Sequence, residues 1–138
     1  MARELSGVVA LQFGGESGAV GTTPVDLAAA NNSVVGTAPI SVPMPQEGTI
    51  RGLSVKLETG VAAEKTATVA VTKGGTEGAA TIALEAADTE GYARFDKSVM
   101  AFDEGDEIGV SLTGGAADSI ATQVVCATVL VQLGKSEI

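Results

Sequence analysis

A stretch of strict alternation between apolar and polar residues, inside Pro43–Thr59, constrains the fold of this chain most. Its apolar positions are Leu53, Val55 and Leu57, and the residues that follow each of them are Ser54, Lys56 and Glu58. Successive side chains of a strand point to opposite faces, so this period predicts a β-strand with one buried and one solvent-exposed face. Gly52 interrupts the period between Ile50 and Leu53, which predicts a β-bulge.

Two further alternating runs follow this strand and are joined by Gly74-Gly75. The first run has apolar residues at Ala67, Val69 and Val71, and the second has them at Ile82 and Leu84. Alternating runs separated by a short glycine-rich segment are typical of a β-hairpin.

The remaining segments predict more strands and no helical period. Strands are expected at Leu5–Phe13, at Ile108–Leu112 and at Ile120–Leu133, with one or two short ones among Phe95, Val99 and Phe102. Pro24–Leu27 favours a short strand, although Asp26–Ala30 is also compatible with a turn of helix. Gly14–Asn32 is expected to be loop with short pieces of structure, and Ala86–Tyr92 to be loop. Pro43 and Pro45 suggest an edge strand.

Together these segments predict an all-β fold, an antiparallel β-sandwich or jelly roll of about eight strands. We expect one domain over residues 1–138, with an N-terminal strand and long loop region at 1–45, the main sandwich at 46–133 and a tail at 134–138. The expected core positions are Leu53, Val55, Leu57, Val69, Val71, Ile82, Leu84, Ile108, Val110, Leu112, Val129 and Val131.

Composition and charge argue against several classes of function. The chain has 17 acidic and 8 basic residues, a net charge of −9, so nucleic acid is not an expected partner. The basic residues form no patch along the sequence. No run approaches the roughly 18 apolar residues of a transmembrane helix, so no membrane association is expected. The single cysteine, Cys126, lies in an apolar strand, where a small buried hydrophobe is the simplest interpretation.

The sequence offers little catalytic chemistry. Histidine is absent, which removes the commonest general base and a common metal ligand. Asp103 and Asp106 sit at a predicted turn; a weak calcium site is conceivable there, but the twelve-residue calcium-loop pattern is missing and a solvated turn is the favoured interpretation. We therefore expect a protein that is not an enzyme and has no cofactor, no metal and no catalytic residue.

The last strand is apolar on both faces. The residues expected to fill the core from one face are Val125, Ala127, Val129, Val131 and Leu133. The opposite face then carries apolar residues too, and the first strand is likewise apolar on both faces. Contiguous apolar surface of this kind usually marks a protein interface. The alternative is that the Gly14–Pro45 segment folds back over it. The expected interface residues are Val8, Ala10, Val124, Cys126, Thr128 and Leu130.

Four sequence segments resemble a recurrent pattern in virion proteins of tailed bacteriophages. They are PMPQEGTIRGLSVKLET, TVAVTKGG with TIALE, SVMAFDEGDEIGVSLT and the closing VVCATVLVQL. The pattern combines a Pro-x-x-Gly-Thr-Ile strand, a Val-x-Val-x-Lys-x-Gly hairpin and a Val-x-Phe-x-x-Gly-Asp-x-Ile turn in a small jelly roll. It is similar in outline to trimeric tumour-necrosis-factor-like jelly rolls. The similarity covers about Val42 to Leu133.

This resemblance implies a homotrimeric capsid decoration (cement) protein, made in the host cytoplasm and placed on the capsid surface of the virion. The partner that it implies is the major capsid protein of the phage head. The alternative is the receptor- or glycan-binding head of a virion fibre or appendage. We expect capsid attachment through the Gly14–Pro45 region, which is long but poor in core-like residues, and through the N-terminal residues Met1, Ala2, Arg3, Glu4 and Leu5.

Overall fold

The computed structural model describes residues 7–29 and 39–134, and within these ranges the chain forms eleven β-strands and no helix. The strands are β1 (Gly7–Ser17), β2 (Val25–Asp26), β3 (Ala28–Ala29), β4 (Ser41–Pro43), β5 (Gly48–Leu57), β6 (Ala67–Lys73), β7 (Thr76–Leu84), β8 (Glu90–Arg94), β9 (Ala101–Phe102), β10 (Glu107–Gly114) and β11 (Gln123–Leu133).

These strands form two antiparallel sheets. The first sheet has the order β3-β1-β11-β5-β8, with β9 also paired to β5, and the second has the order β2-β10-β6-β7, with β4 also paired to β10. β2 and β4 both pair with β10 and are counted as one strand position, and the two-residue strands β3 and β9 are counted as additions. The sheets then have eight strand positions, and their order is the connectivity of a jelly roll. The predicted fold class is confirmed, and β4, which contains Pro43, is an edge strand as expected.

The predicted bulge in β5 is present. Leu130 of β11 pairs with Gly52, whereas the next residue, Val131, pairs with Ile50, so Arg51 is the extra residue on β5. The extra residue lets Ile50 and Leu53 face the same side of the sheet although they are three residues apart, and both are buried.

The predicted hairpin is also present, as β6 and β7. Gly74 and Gly75 form its two-residue turn with φ values of +60° and +83°. Two consecutive positive φ angles are the signature of the type I′ turn, whose twist matches that of the flanking strands and which glycine adopts without a steric penalty.

The core lies between the two sheets, and all twelve core positions expected from the alternation are buried. The predicted inward set of β11, from Val125 to Leu133, is buried as well. Phe13, which the alternation of the first strand places on the face opposite Val8 and Ala10, is buried too. The structure adds large core residues from short strands and loops, which the alternation did not identify. They are Val20, Leu27, Met100, Phe102 and Ile120.

One loop prediction is wrong near the start of the chain. β1 continues beyond Phe13 through two glycines to Ser17, because β11 pairs with it over the whole of Gly7–Ser17. The short strand favoured within Pro24–Leu27 is present as β2, and β3 follows it, so the alternative of a helical turn at Asp26–Ala30 is wrong over its described residues, 26–29. The stretch from Phe95 to Phe102 contains one short strand, β9, as expected.

The second wrong loop prediction concerns Ala86–Tyr92. Its last three residues belong to β8, which pairs with β5 so that Tyr92 lies opposite Ser54. The inward positions of β8 are Gly91 and Ala93, so the strand has no large apolar residue to mark it in the sequence. A Cβ atom on Gly91 would lie 2.8 Å from Leu84 Cδ2, which shows how closely the second sheet packs on it.

Candidate functional site: the outer face of the first sheet

The outward side chains of the first sheet form rows that run across four neighbouring strands. Two adjacent rows lie at the centre of this face. One contains Ala10, Leu130, Gly52 and Arg94, and the next contains Gln12, Thr128, Ser54 and Tyr92. Residues directly opposite in an antiparallel pair share a face, so each row is a line of neighbouring side chains.

The six residues expected at an interface all lie on this outer face, on β1 and β11. Val8, Val124 and Leu130 are 59%, 48% and 40% exposed, which is high for large aliphatic side chains. Cys126 is exposed too, so the expectation that it is a buried hydrophobe is wrong. The alternation predicted this face correctly, while the role of the six residues as an oligomer interface stays a prediction.

These six residues are spread continuously along the strands. Ala10 lies opposite Leu130, and Val8 is the next outward residue on β1. Val124 lies opposite Glu16, six residues along β11 from Leu130, with Thr128 and Cys126 between them. At a rise of about 3.4 Å per residue, Val124 is about 20 Å from Leu130. An interface that used all six would therefore run along most of β11.

The described parts of the Gly14–Pro45 segment do not cross this face. β2 and β4 pair with β10 in the second sheet. β3 pairs only with Phe13 and Gly14, at the edge of the first sheet. The alternative that this segment covers the apolar face therefore finds no support in residues 14–29 and 39–45.

Tyr92 belongs to the same face and is its most exposed large hydrophobic side chain, at 82%. It stands beside a shallow depression of about 190 Å³ that Gly52 also lines. The lining residues are Gly52, Leu53, Ser54, Tyr92, Ala93, Arg94, Thr128 and Leu130. The alternation of small and large residues around Tyr92 was the one signal in the sequence that could have placed it on a strand face.

Charge is unevenly distributed over this face. Lys56 and Glu90 form an exposed ion pair on the β5–β8 side, with Nζ and Oε2 3.5 Å apart. At the far end of β11, Glu58 Oε1 accepts a hydrogen bond from the backbone N–H of Val124 at 3.3 Å. The rows from Val8 to Thr128 on β1 and β11 carry no charged residue. They combine the apolar Val8, Ala10 and Leu130 with the uncharged polar Gln12, Thr128 and Gln132, so this part of the face is neutral and partly apolar.

The acidic turns elsewhere are satisfied by local hydrogen bonds. The backbone N–H of Asp103 donates to Asp106 Oδ2 at 2.7 Å, and the N–H of Asp106 donates to the Asp103 carbonyl at 3.1 Å. In the turn after β8, the backbone N–H and the hydroxyl of Ser98 both donate to Asp96 Oδ1, and the backbone hydrogen bond is the main cause of the lowered pKa of Asp96. These carboxylates stabilise turns.

Residues 7–29 and 39–134 contain neither a cluster of metal-ligating side chains nor a helix that could span a membrane. No group of three or more histidine, cysteine, aspartate or glutamate side chains is placed to hold a metal ion. No helix there is long and apolar enough to cross a membrane.

Comparison with known proteins identifies a similar fold but no family. No protein-family model and no curated protein sequence matches the chain. Among solved structures, the chain is similar to a chain of the acidic stable capsid structure of Helicobacter pylori bacteriophage KHP30. The TM-score is 0.50 and the identity 13%, over 95% of each chain. At this identity the similarity shows a shared fold along nearly the whole length of both chains.

Proposed function

We propose that this protein is a structural component of a bacteriophage virion, a trimeric decoration protein that binds the major capsid protein and stabilises the head shell. The observation that carries the proposal is the outer face of β1 and β11, which exposes Val8, Val124 and Leu130 and has no charged residue from Val8 to Thr128, on a chain whose net charge is −9. Such a face suits a protein partner better than it suits water. The fold shared with a chain of a phage capsid structure supports the same role. In this role the protein acts by burying surface area against its partners and does not catalyse a reaction.

In this proposal, the outer faces of β1 and β11 from three copies meet around a threefold axis. Large side chains would hold three sheets apart, whereas the residues directly opposite Leu130 on its two neighbouring strands are Ala10 and Gly52. A closed ring of three also leaves no apolar surface free to propagate. The number three follows from the resemblance to phage jelly rolls. The residues placed at or near the axis are Val8, Ala10, Val124, Cys126, Thr128 and Leu130.

Replacing Leu130 with Glu should separate the three subunits of the trimer and leave the sandwich folded. Three carboxylates would be forced together near the axis and away from water, while in the separated subunit the side chain points to solvent. Light scattering measures the mass, and far-UV circular dichroism checks the fold. The exposed Cys126 adds a second readout: a maleimide should react slowly in the trimer and quickly after Leu130→Glu.

The matched control is Thr81→Glu, which adds the same charge at an exposed position of β7 in the second sheet. It should leave mass and Cys126 reactivity unchanged. If the unaltered protein is a monomer, or if Leu130→Glu leaves the mass as it was, the proposed interface is wrong.

Deletion of Met1–Leu5 should strongly reduce the number of copies bound to phage particles, because we place capsid attachment on this segment. The segment lies outside the described residues, so the proposal rests on the sequence argument alone. Occupancy is measured on purified particles by gel densitometry and electron microscopy, with deletion of residues 135–138 as the control. Equal occupancy after both deletions would remove Met1–Leu5 from the attachment site.

A second candidate function, a receptor- or glycan-binding head, is favoured by the exposed Tyr92 beside a depression that Arg94 also lines. An aromatic face next to polar groups is a common way to hold a small ligand. Binding to a glycan array that is lost in Tyr92→Ala would support it. Micrographs of particles labelled for this protein separate the two candidates, because decoration requires copies over the whole shell and a head requires them on appendages.

A further inference from the structure

β8 forms one edge of the first sheet, and its sequence Glu90-Gly91-Tyr92-Ala93-Arg94 is complementary to itself. It pairs with β5 on one side, and none of the described strands pairs with its other side. The free N–H and C=O groups of an edge strand can accept an extended strand from another chain. Tyr92 stands at the midpoint of this edge and projects from the outer face.

We propose that two copies of this chain pair their β8 strands antiparallel about a twofold axis at Tyr92. In this register Glu90 of one copy lies opposite Arg94 of the other on the outer face, and the two Tyr92 rings are neighbours. Because a twofold contact repeats every pairing, two Glu–Arg pairs form in each contact. The inward positions pair Gly91 with Ala93, and these small residues add no bulk over the core.

The charges on β8 explain why a second copy is the partner. Copies with a net charge of −9 repel each other in general. β8, however, contributes one acid and one base, arranged so that each meets its opposite across the axis. Arg94 makes no ion pair within the described residues, and the contact of Glu90 with Lys56 is exposed and weak. Tyrosine and arginine are also the residue types that contribute most at protein interfaces.

This contact is independent of the proposed function. The proposed threefold contact uses β1 and β11, whereas this one extends the sheet at its other edge, beyond β5. A five-residue edge is short, so we expect an association that depends on protein concentration.

Sedimentation velocity over a concentration series tests the contact, with Val8→Glu as background so that the threefold contact is disrupted without a new charge in the row of Arg94. We expect a monomer–dimer equilibrium in this background. Arg94→Glu and Glu90→Arg each place like charges opposite one another twice, and each should lower the association constant about tenfold or more. The double variant Glu90→Arg/Arg94→Glu exchanges the charges and restores both pairs, so dimerisation should return. Glu77→Arg, the same charge change on β7, should have little effect.

Three results would overturn the proposal: no dimer at the highest concentration, a dimer indifferent to both single reversals, or a double variant as weak as the singles. Failure of the proposed threefold contact has a different signature. The unaltered protein would then form only dimers, sensitive to Arg94→Glu and insensitive to Val8→Glu.

Discussion

Replacing Phe13 with Ala should lower the free energy of unfolding by about 3–5 kcal/mol. Phe13 is fully buried in β1, and its partners across the two neighbouring strands are Ala127 in β11 and Ala29 in β3. The ring therefore occupies space between two small residues that cannot extend to fill it. The substitution loses the apolar transfer energy of the ring and leaves a cavity as well.

Urea denaturation followed by circular dichroism measures this effect, at one fixed protein concentration because association adds to the apparent stability. Val9→Ala is the matched control, on the same strand and face, but 41% exposed. It should cost no more than about 1 kcal/mol. Similar losses for the two variants would show that Phe13 is not a core residue and that β1 packs differently.

The second large effect is expected from adding one methyl group at Gly48. This glycine is buried at the start of β5, between Leu133 of β11 and Phe102 of β9. A Cβ atom there would collide with the backbone carbonyl oxygen of Gln132 and would lie 2.6 Å from Phe102 Cζ. The carbonyl belongs to the ladder between β5 and β11, so it moves only if the pairing moves. Gly48→Ala should cost about 3 kcal/mol or more.

Gly91→Ala provides a comparison with the same chemical change in another strand of the same sheet. Its Cβ atom would meet Leu84 Cδ2 at 2.8 Å and Ile82 Cγ2 at 2.9 Å, which are the ends of side chains that can shift. We expect a cost of about 1–2 kcal/mol, measured in the same urea experiment. A larger loss at Gly91 than at Gly48 would contradict the argument that an immovable backbone atom dominates the cost.

The central strands and their core were predictable because they carry large apolar residues at every second position. Leu53, Val55 and Leu57 leave little choice of face, since a shift of one residue would turn all three to water. The bulge at Gly52 and the turn at Gly74-Gly75 were predictable for a related reason. In each case glycine stands where the alternation breaks or the chain must reverse.

The apolar outer face of β11 was also predictable, from the same alternation. Once Val129 is assigned to the core, Thr128 and Leu130 must point outward, and the structure places both on the outer face. The alternation does not show which partner covers that face. The oligomer interface is therefore a proposal, which the Leu130→Glu variant tests.

The far end of β1 and all of β8 were decided only by the tertiary structure. Gly14 and Gly15 are typical of a loop, yet they belong to β1 because β11 pairs with this strand as far as Gln123. β8 has only Gly91 and Ala93 on its inward face, and small residues there let Leu84 and Ile82 of the other sheet pack closely. An inward face without large apolar side chains leaves only a weak periodic signal, so the alternation did not reveal this edge strand or the position of Tyr92 at its centre.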